Sequence, residues 1–130
     1  MTASFQQEAV VREHFRNIST QWGSRYRRPA KMSDLDMLLR RENVHRLLLP
    51  VISRHEGTLR VLDLGCGTGD VLEGLPRDIL KVTGVDFVPE MAATAASTHP
   101  TDRFAAADAT RLPFGGTTFD VITCLGVLEY

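Results

Sequence analysis

One stretch limits what this chain can fold into more than any other: Val61-Leu62-Asp63-Leu64-Gly65-Cys66-Gly67-Thr68-Gly69-Asp70. Its aliphatic start predicts a short strand over residues 59–64, closed by Gly65. A glycine turn placed directly after a strand needs positive φ angles and lets a ligand approach bare backbone. The pattern downstream is consistent with this start. Residues 81–86 read as a second strand, and 89–98 as an Ala-rich helix opened by Pro89, a residue favoured in the first helical turn. Residues 103–107 make a weaker third strand and 119–124 a fourth. A brief helix is expected over 70–75, ended by Pro76. Strands alternating with helices imply βαβ units and a parallel sheet, so the expected fold class is α/β.

Residues 1–57 read differently, as an N-terminal helical cap region set before a sheet-forming unit over 58–130. Phe5, Ala9, Val10 and Ile18 could line one face of a first helix. A polar, basic connector follows, Gly23 to Lys31, read as solvated. A second helix is expected from Ser33, with Asp36 as its capping acid and Leu35, Leu38, Leu39, Leu48 and Ile52 at helical spacing. Pro50 should kink or break it. The two regions also differ in charge: residues 1–58 carry ten Lys/Arg against six Asp/Glu, and 59–130 carry five against ten.

Composition narrows the class without naming a function. At 43% hydrophobic and 24% charged, the sequence reads as soluble and globular. No apolar run reaches the roughly 18 residues of a membrane span, and residues 1–8 lack the pattern of a signal peptide. Cys66 and Cys124 lie in apolar stretches, which points to packing residues, no disulfide framework and a cytoplasmic setting. The histidines at 14, 45, 55 and 99 have no metal-ligand spacing, so no metal site is expected.

Charge around the glycine loop separates two kinds of nucleotide ligand. A dinucleotide fingerprint is Gly-x-Gly-x-x-Gly, with a pyrophosphate at the helix start. Here the third glycine comes one residue early and Asp70 stands at the expected helix start, where it would repel a pyrophosphate. Asp63 adds negative charge ahead of the loop. Asp86 ends the second strand, where a carboxylate can accept hydrogen bonds from both ribose hydroxyls, and Asp108 follows the third. Such a site suits a cationic, phosphate-free nucleoside, which S-adenosylmethionine is and NAD is not.

Four segments carry a resemblance: Val61 to Asp70, Gly84-Val85-Asp86-Phe87-Val88-Pro89-Glu90-Met91, Asp108-Ala109-Thr110-Arg111-Leu112-Pro113-Phe114, and Phe119-Asp120-Val121-Ile122. Together they resemble the class I S-adenosylmethionine-dependent methyltransferases, most of all the small-molecule branch that includes ubiquinone and menaquinone biosynthesis enzymes. The resemblance implies a Rossmann-like sheet, the first four strands of seven, in a chain that is C-terminally truncated. It implies Asp63, Gly65 and Gly67, with Cys66 between them, beside the methionine moiety, and Asp86 on the ribose. It implies Phe87 and Met91 against the adenine, with Asp108 and the Ala109 amide on its polar edge. Leu125 would begin the segment facing the methyl group, and Glu129 and Tyr130 would lie near the acceptor. The run 125–130 is not the Asn/Asp-Pro-Pro-Tyr pattern of enzymes that methylate amino groups of DNA bases or protein glutamine.

The expected activity is therefore methyl transfer to a small-molecule acceptor, with no nucleic-acid partner and no base assigned. Two other readings stay open: a non-catalytic methyltransferase-like binding module, and an NAD(P)-dependent oxidoreductase. Trp22 and Tyr26 could cap the site from the N-terminal helices. The edge of the fourth strand invites self-association or a partner chain.

Overall fold

The computed structural model describes residues 3–127. Three helices come first: α1 (Ala3–Trp22), α2 (Ser24–Arg27) and α3 (Met32–Arg54). They are followed by β1 (Leu59–Leu64), β2 (Leu80–Asp86), α4 (Pro89–Thr98), β3 (Arg103–Ala106) and β4 (Val121–Cys124). The four strands form one parallel sheet in the order β3-β2-β1-β4. The α/β architecture with N-terminal helices is thus as the sequence implied, and α4 keeps its predicted bounds.

Strand register decides which side chains share a face. Leu59 pairs with Leu80 and Val61 with Val82. Those four pack with Val44, Leu48 and Ile52 of α3 and with Val71, Leu72 and Leu75. Burying a side chain of this kind is worth about 1.5–3 kcal/mol, so this layer is the main apolar anchor between the helical segment and the sheet. On the opposite face, Leu62 and Ile122 are register partners. With Phe114 and Phe119 they line a shallow groove, and Ile122 is 60% exposed. Among the described residues β4 pairs only with β1. Asp120, just before β4, accepts from the Arg60 guanidinium and from the Arg60 backbone N–H, and this holds its pKa down at about 2.

Several local expectations are corrected. Residues 70–75 form successive turns rather than a helix, closed by Glu73 N–H to the Asp70 carbonyl and Leu75 N–H to the Leu72 carbonyl. Six residues between two helix breakers cannot repay helix nucleation, and Gly74 adopts a φ of 85°. The second long helix starts at Met32, and its capping acid is Asp34, whose carboxylate accepts from the backbone N–H of Ala30 and Lys31. Those bonds, together with Arg25, hold Asp34 below the usual carboxylate range. Asp36 instead pairs with Arg40, one turn on. Pro50 does not break α3, which runs on to Arg54. The inward faces also differ. Phe5 and Val10 are exposed, while Val11, Phe15 and Trp22 turn inward; α3 buries Met37, Val44, Leu48 and Ile52 and leaves Leu35 and Leu39 outside.

Candidate functional site

Parallel strands end together, so the segments leaving them meet at one rim. Leu64 lies beside Val85 on one side and Cys124 on the other, and Asp86 beside Ala106. The Gly65 and Cys66 N–H groups donate to the Val85 carbonyl, and the Ala107 N–H to that of Asp86, which extends the ladder past the strand ends. Above this rim lies a cavity of about 760 Å³. Its floor contains Asp63, Gly65, Cys66, Gly67, Asp86, Phe87, Met91, Asp108, Ala109 and Leu125, so the structure brings all ten sequence-predicted site residues together. Glu129 and Tyr130 lie outside the described residues.

Each acidic group is held differently. Asp63 is buried within β1 and accepts a 2.7 Å hydrogen bond from the Thr123 hydroxyl, its register partner on β4. Burial, opposed by that bond and assisted by the nearby Asp86, pushes its pKa up to about 7. Asp86 accepts from the Gly67 N–H through Oδ2 and from the Val88 N–H through Oδ1, both at 2.9 Å. Burial still raises its pKa. An ionised carboxylate has about four lone-pair sites, so both oxygens can accept further donors. Asp108 is exposed and accepts from the Thr110 N–H and hydroxyl, which lower its pKa. Cys66 is buried and its thiol pKa is pushed up by burial, which suits packing and not nucleophilic attack.

The glycine loop shapes the floor. Gly65 has a φ of 69°, and a Cβ there would come 2.0 Å from Val127 Cγ2. Gly67, at φ 53°, lies against the indole nitrogen of Trp22. Only glycine meets both demands at position 65, since the left-handed region costs other residues about 1–2 kcal/mol.

Sequence reasoning missed most of the roof. Gln7, Glu8, Val11, Phe15, Ser33, Asp36, Met37 and Arg40 line the cavity from α1 and α3, alongside Trp22 and Tyr26. No ligand-binding motif marks them. Phe15 meets Trp22 edge-on, and the Arg25 guanidinium stacks on Trp22 at 4.7 Å. Arg12 lies 4.6 Å over the Phe87 ring, and Arg16 pairs with Glu90 at 2.9 Å. Burial, reinforced by Asp70 and Asp63, pushes the Tyr26 pKa up to about 12.

Two expectations about charge change. The basic connector is not simply solvated: Arg25 donates to Asp34 and Ser33, and Arg27 to Asp70. The excess positive charge of the N-terminal region is thus partly spent on the acidic sheet-forming region. Asp70, expected to repel a pyrophosphate, does not line the cavity; it is 1% exposed, beneath the loop. Other features of the cavity disfavour a phosphate. The turns at 70–75 offer no helix N-terminus to attract one. The lining also holds five carboxylates (Glu8, Asp36, Asp63, Asp86, Asp108) against two guanidinium groups, Arg25 and Arg40, each already paired with a carboxylate. Among the described residues no group of three or more His, Cys, Asp or Glu gathers in a way that could hold a metal ion, and no helix is long and apolar enough to cross a membrane.

The chain is similar to known proteins in sequence and in fold. A demethylmenaquinone methyltransferase from Beutenbergia cavernae is 44% identical over 64 residues, 49% of this chain and 27% of that protein. The mitochondrial ubiquinone biosynthesis O-methyltransferase of Schizosaccharomyces pombe is 38% identical over 80 residues, 55% of this chain and 28% of that protein. The match therefore spans less than a third of the length of these curated relatives. Among solved structures, a SAM-bound amino pentose methyltransferase from Micromonospora echinaspora superposes with a TM-score of 0.54 at 32% identity, over 65% of this chain and 36% of that one. The magnesium protoporphyrin IX methyltransferase of Synechocystis shares the fold more extensively, with a TM-score of 0.70 over 93% of this chain and 59% of that one, at 23% identity. Residues 61–130, which include the glycine loop, Asp86 and Asp108, match the family described as Methyltransferase domain, and the chain belongs to that family.

Proposed function

We propose that this chain binds S-adenosylmethionine in the cavity above the strand ends and forms the cofactor-binding half of a methyltransferase acting on a small-molecule acceptor. One observation carries the reading: glycines with open backbone and carboxylates from three strand ends share one acidic cavity. The donor set fits the cofactor. Asp86 has spare acceptor capacity for a ribose diol, and the Phe87 and Met91 side chains offer apolar surface to an adenine. Asp63 and the Gly65–Gly67 backbone would hold the methionine part, with Cys66 packing beneath. Asp108 and the Ala109 N–H would meet the base edge, and Leu125 the methyl end. The names of the relatives support the same class of chemistry.

When bound, S-adenosylmethionine supplies a methyl group on a positively charged sulfur, already activated for displacement. The protein's own residues then bind, orient and exclude water, and orientation alone can supply about 7–11 kcal/mol. Asp63 and Asp86 set the negative potential that draws in a cation. The roof from α1–α3 shields the reacting centre and faces the acceptor, so residues 1–57 act as a cap on the unit over 58–130. A cytoplasmic setting agrees with two free thiols. The edge of β4 turned away from β1 carries no strand among the described residues and is a surface for another strand or chain.

Calorimetric titration with S-adenosylhomocysteine tests this. Wild-type chain should bind one equivalent, Asp86→Ala should bind far more weakly, and NADH should produce no heat. Equal binding by both proteins would remove Asp86 from the ribose. Binding of NADH alone would replace the proposed cofactor.

A further inference from the structure

The glycine loop is held from below as well as from above. Asp70 ends the loop with its carboxylate buried, and three groups meet it there. The Thr68 hydroxyl donates to Oδ2, the Arg27 guanidinium donates to Oδ1 at 2.9 Å, and the Gly23 backbone lies alongside. A Cβ at Gly23 would come 3.2 Å from both Asp70 oxygens and 2.8 Å from Arg27 Nη1, so the bare backbone there makes room for the pair. Arg27 also reaches Glu73 at 3.7 Å, and Arg41 of α3 approaches the same carboxylate at 3.9 Å. Thr68 stands between Gly67, whose N–H donates to Asp86, and Gly69. A continuous path therefore runs from Arg27 through Asp70 and Thr68 to the Gly67 N–H and the Asp86 carboxylate.

We infer that Arg27 is a positioning residue for the cofactor site: by pairing with buried Asp70 it fixes the loop in the form that presents the Gly67 N–H to Asp86. This rests on the function proposed above. The physical reason is that a buried carboxylate requires compensation, and without Arg27 only the Thr68 hydroxyl of the loop itself remains to supply it. The neighbouring residue on α2, Tyr26, lines the cavity, so the contact ties a roof element to the loop as well. Glu73, by contrast, is half-exposed and its two contacts are long, so it should contribute little.

The test combines amide hydrogen exchange on the ligand-free full chain with calorimetric titration of S-adenosylhomocysteine. Arg27→Gln should keep its circular dichroism spectrum, speed exchange at the Gly67 amide about tenfold and weaken binding about tenfold. Arg27→Lys should recover part of both. Adding Asp70→Asn to Arg27→Gln removes the uncompensated charge and should restore slow exchange, a rescue that loss of packing alone would not give. Unchanged exchange and affinity in Arg27→Gln would overturn the inference, as would a double variant no better than the single one. A wild-type chain that fails to bind would instead strike the proposed function, and this inference with it. Should Arg27→Gln fail to fold, comparison of Asp70→Asn with the double variant decides the matter. With the carboxylate neutral, further mutation of Arg27 to Gln should change neither readout, and a tenfold change would contradict the path through Asp70.

Discussion

From Leu59 to Asp70 every residue but Arg60 is buried or half-buried, whereas α3 leaves Leu35, Leu39, Leu47, Leu49 and Val51 in solvent. These two segments supply the floor and part of the roof of the same cavity, and they are built on different principles. The floor is made by backbone: a parallel ladder brings strand ends to one rim, glycines turn the chain there, and carboxylates sit where the ladder stops. The roof is made by side chains of α1–α3 and tied across by long side chains of α1 and α2, Arg12 to Phe87, Arg16 to Glu90 and Arg27 to Asp70. The groups proposed to meet the cofactor are carried on the hydrogen-bonded ladder and the turns that leave it. The cover over it is fastened by side-chain contacts of unequal strength: Arg16–Glu90 is exposed at both ends and weak, whereas Arg27–Asp70 is buried at its acidic end.

If that division is right, damage to the floor should cost far more than damage to the roof. Asp86→Ala stands at the top of the scale. Two hydrogen bonds from a diol to a charged acceptor are each worth about 1.5–3 kcal/mol, so S-adenosylhomocysteine affinity should drop by about two to four orders of magnitude in a calorimetric titration. A loss under threefold would break the comparison. Gly65→Ala comes next. It forces a Cβ into the left-handed region and against Val127, and should cost about 1–3 kcal/mol of stability in a urea melt, with weaker binding besides. At the bottom is Arg16→Ala, which removes a pair whose members are both more than 40% exposed. It should change stability by less than about 1 kcal/mol and leave affinity within a factor of three. A larger effect would mean that the roof is more than a fastened cover.

The two regions also differ in how much the chain announces them. The strands and α4 could be read in advance because their signals are local: aliphatic runs, a glycine turn, a proline at the first helical position. The floor of the site was legible for the same reason, as each carboxylate sits at or near the end of its own strand. The Thr123–Asp63 bond was hidden because it depends on register between strands 60 residues apart. Trp22 and Tyr26 apart, the roof was hidden because α1 carries apolar residues on more than one face, and only docking selects Val11 and Phe15 over Phe5 and Val10. Asp70 shows the limit most clearly. Its charge was visible, but its partner lies 43 residues earlier, so a group that looked like a repellent for phosphate is a buried anchor.

Acidity gives a finer version of the same comparison. Burial holds the Asp63 pKa above the ordinary carboxylate value, at about 7. Protonated Asp63 is therefore favoured in the folded state: its contribution to stability is full below about pH 4 and is lost as pH rises through about 7. Binding of a cationic ligand runs the other way, because only the ionised form attracts it, so affinity should fall as pH drops from 8 to 6. Asp63→Asn should flatten both profiles relative to wild type. Profiles that match in the two proteins would move the charge-sensing role elsewhere in the cavity.

Amide chemical-shift mapping by nuclear magnetic resonance with S-adenosylhomocysteine tests the central claim most directly, since it reports where on the chain the ligand sits. The largest shifts are expected at Gly65, Gly67, Phe87, Ala109 and Leu125, with smaller ones at Trp22 and Tyr26 in the roof. Shifts confined to the outer face of α3 or the groove beside Ile122, or none at saturating ligand, would contradict a cofactor site above the strand ends.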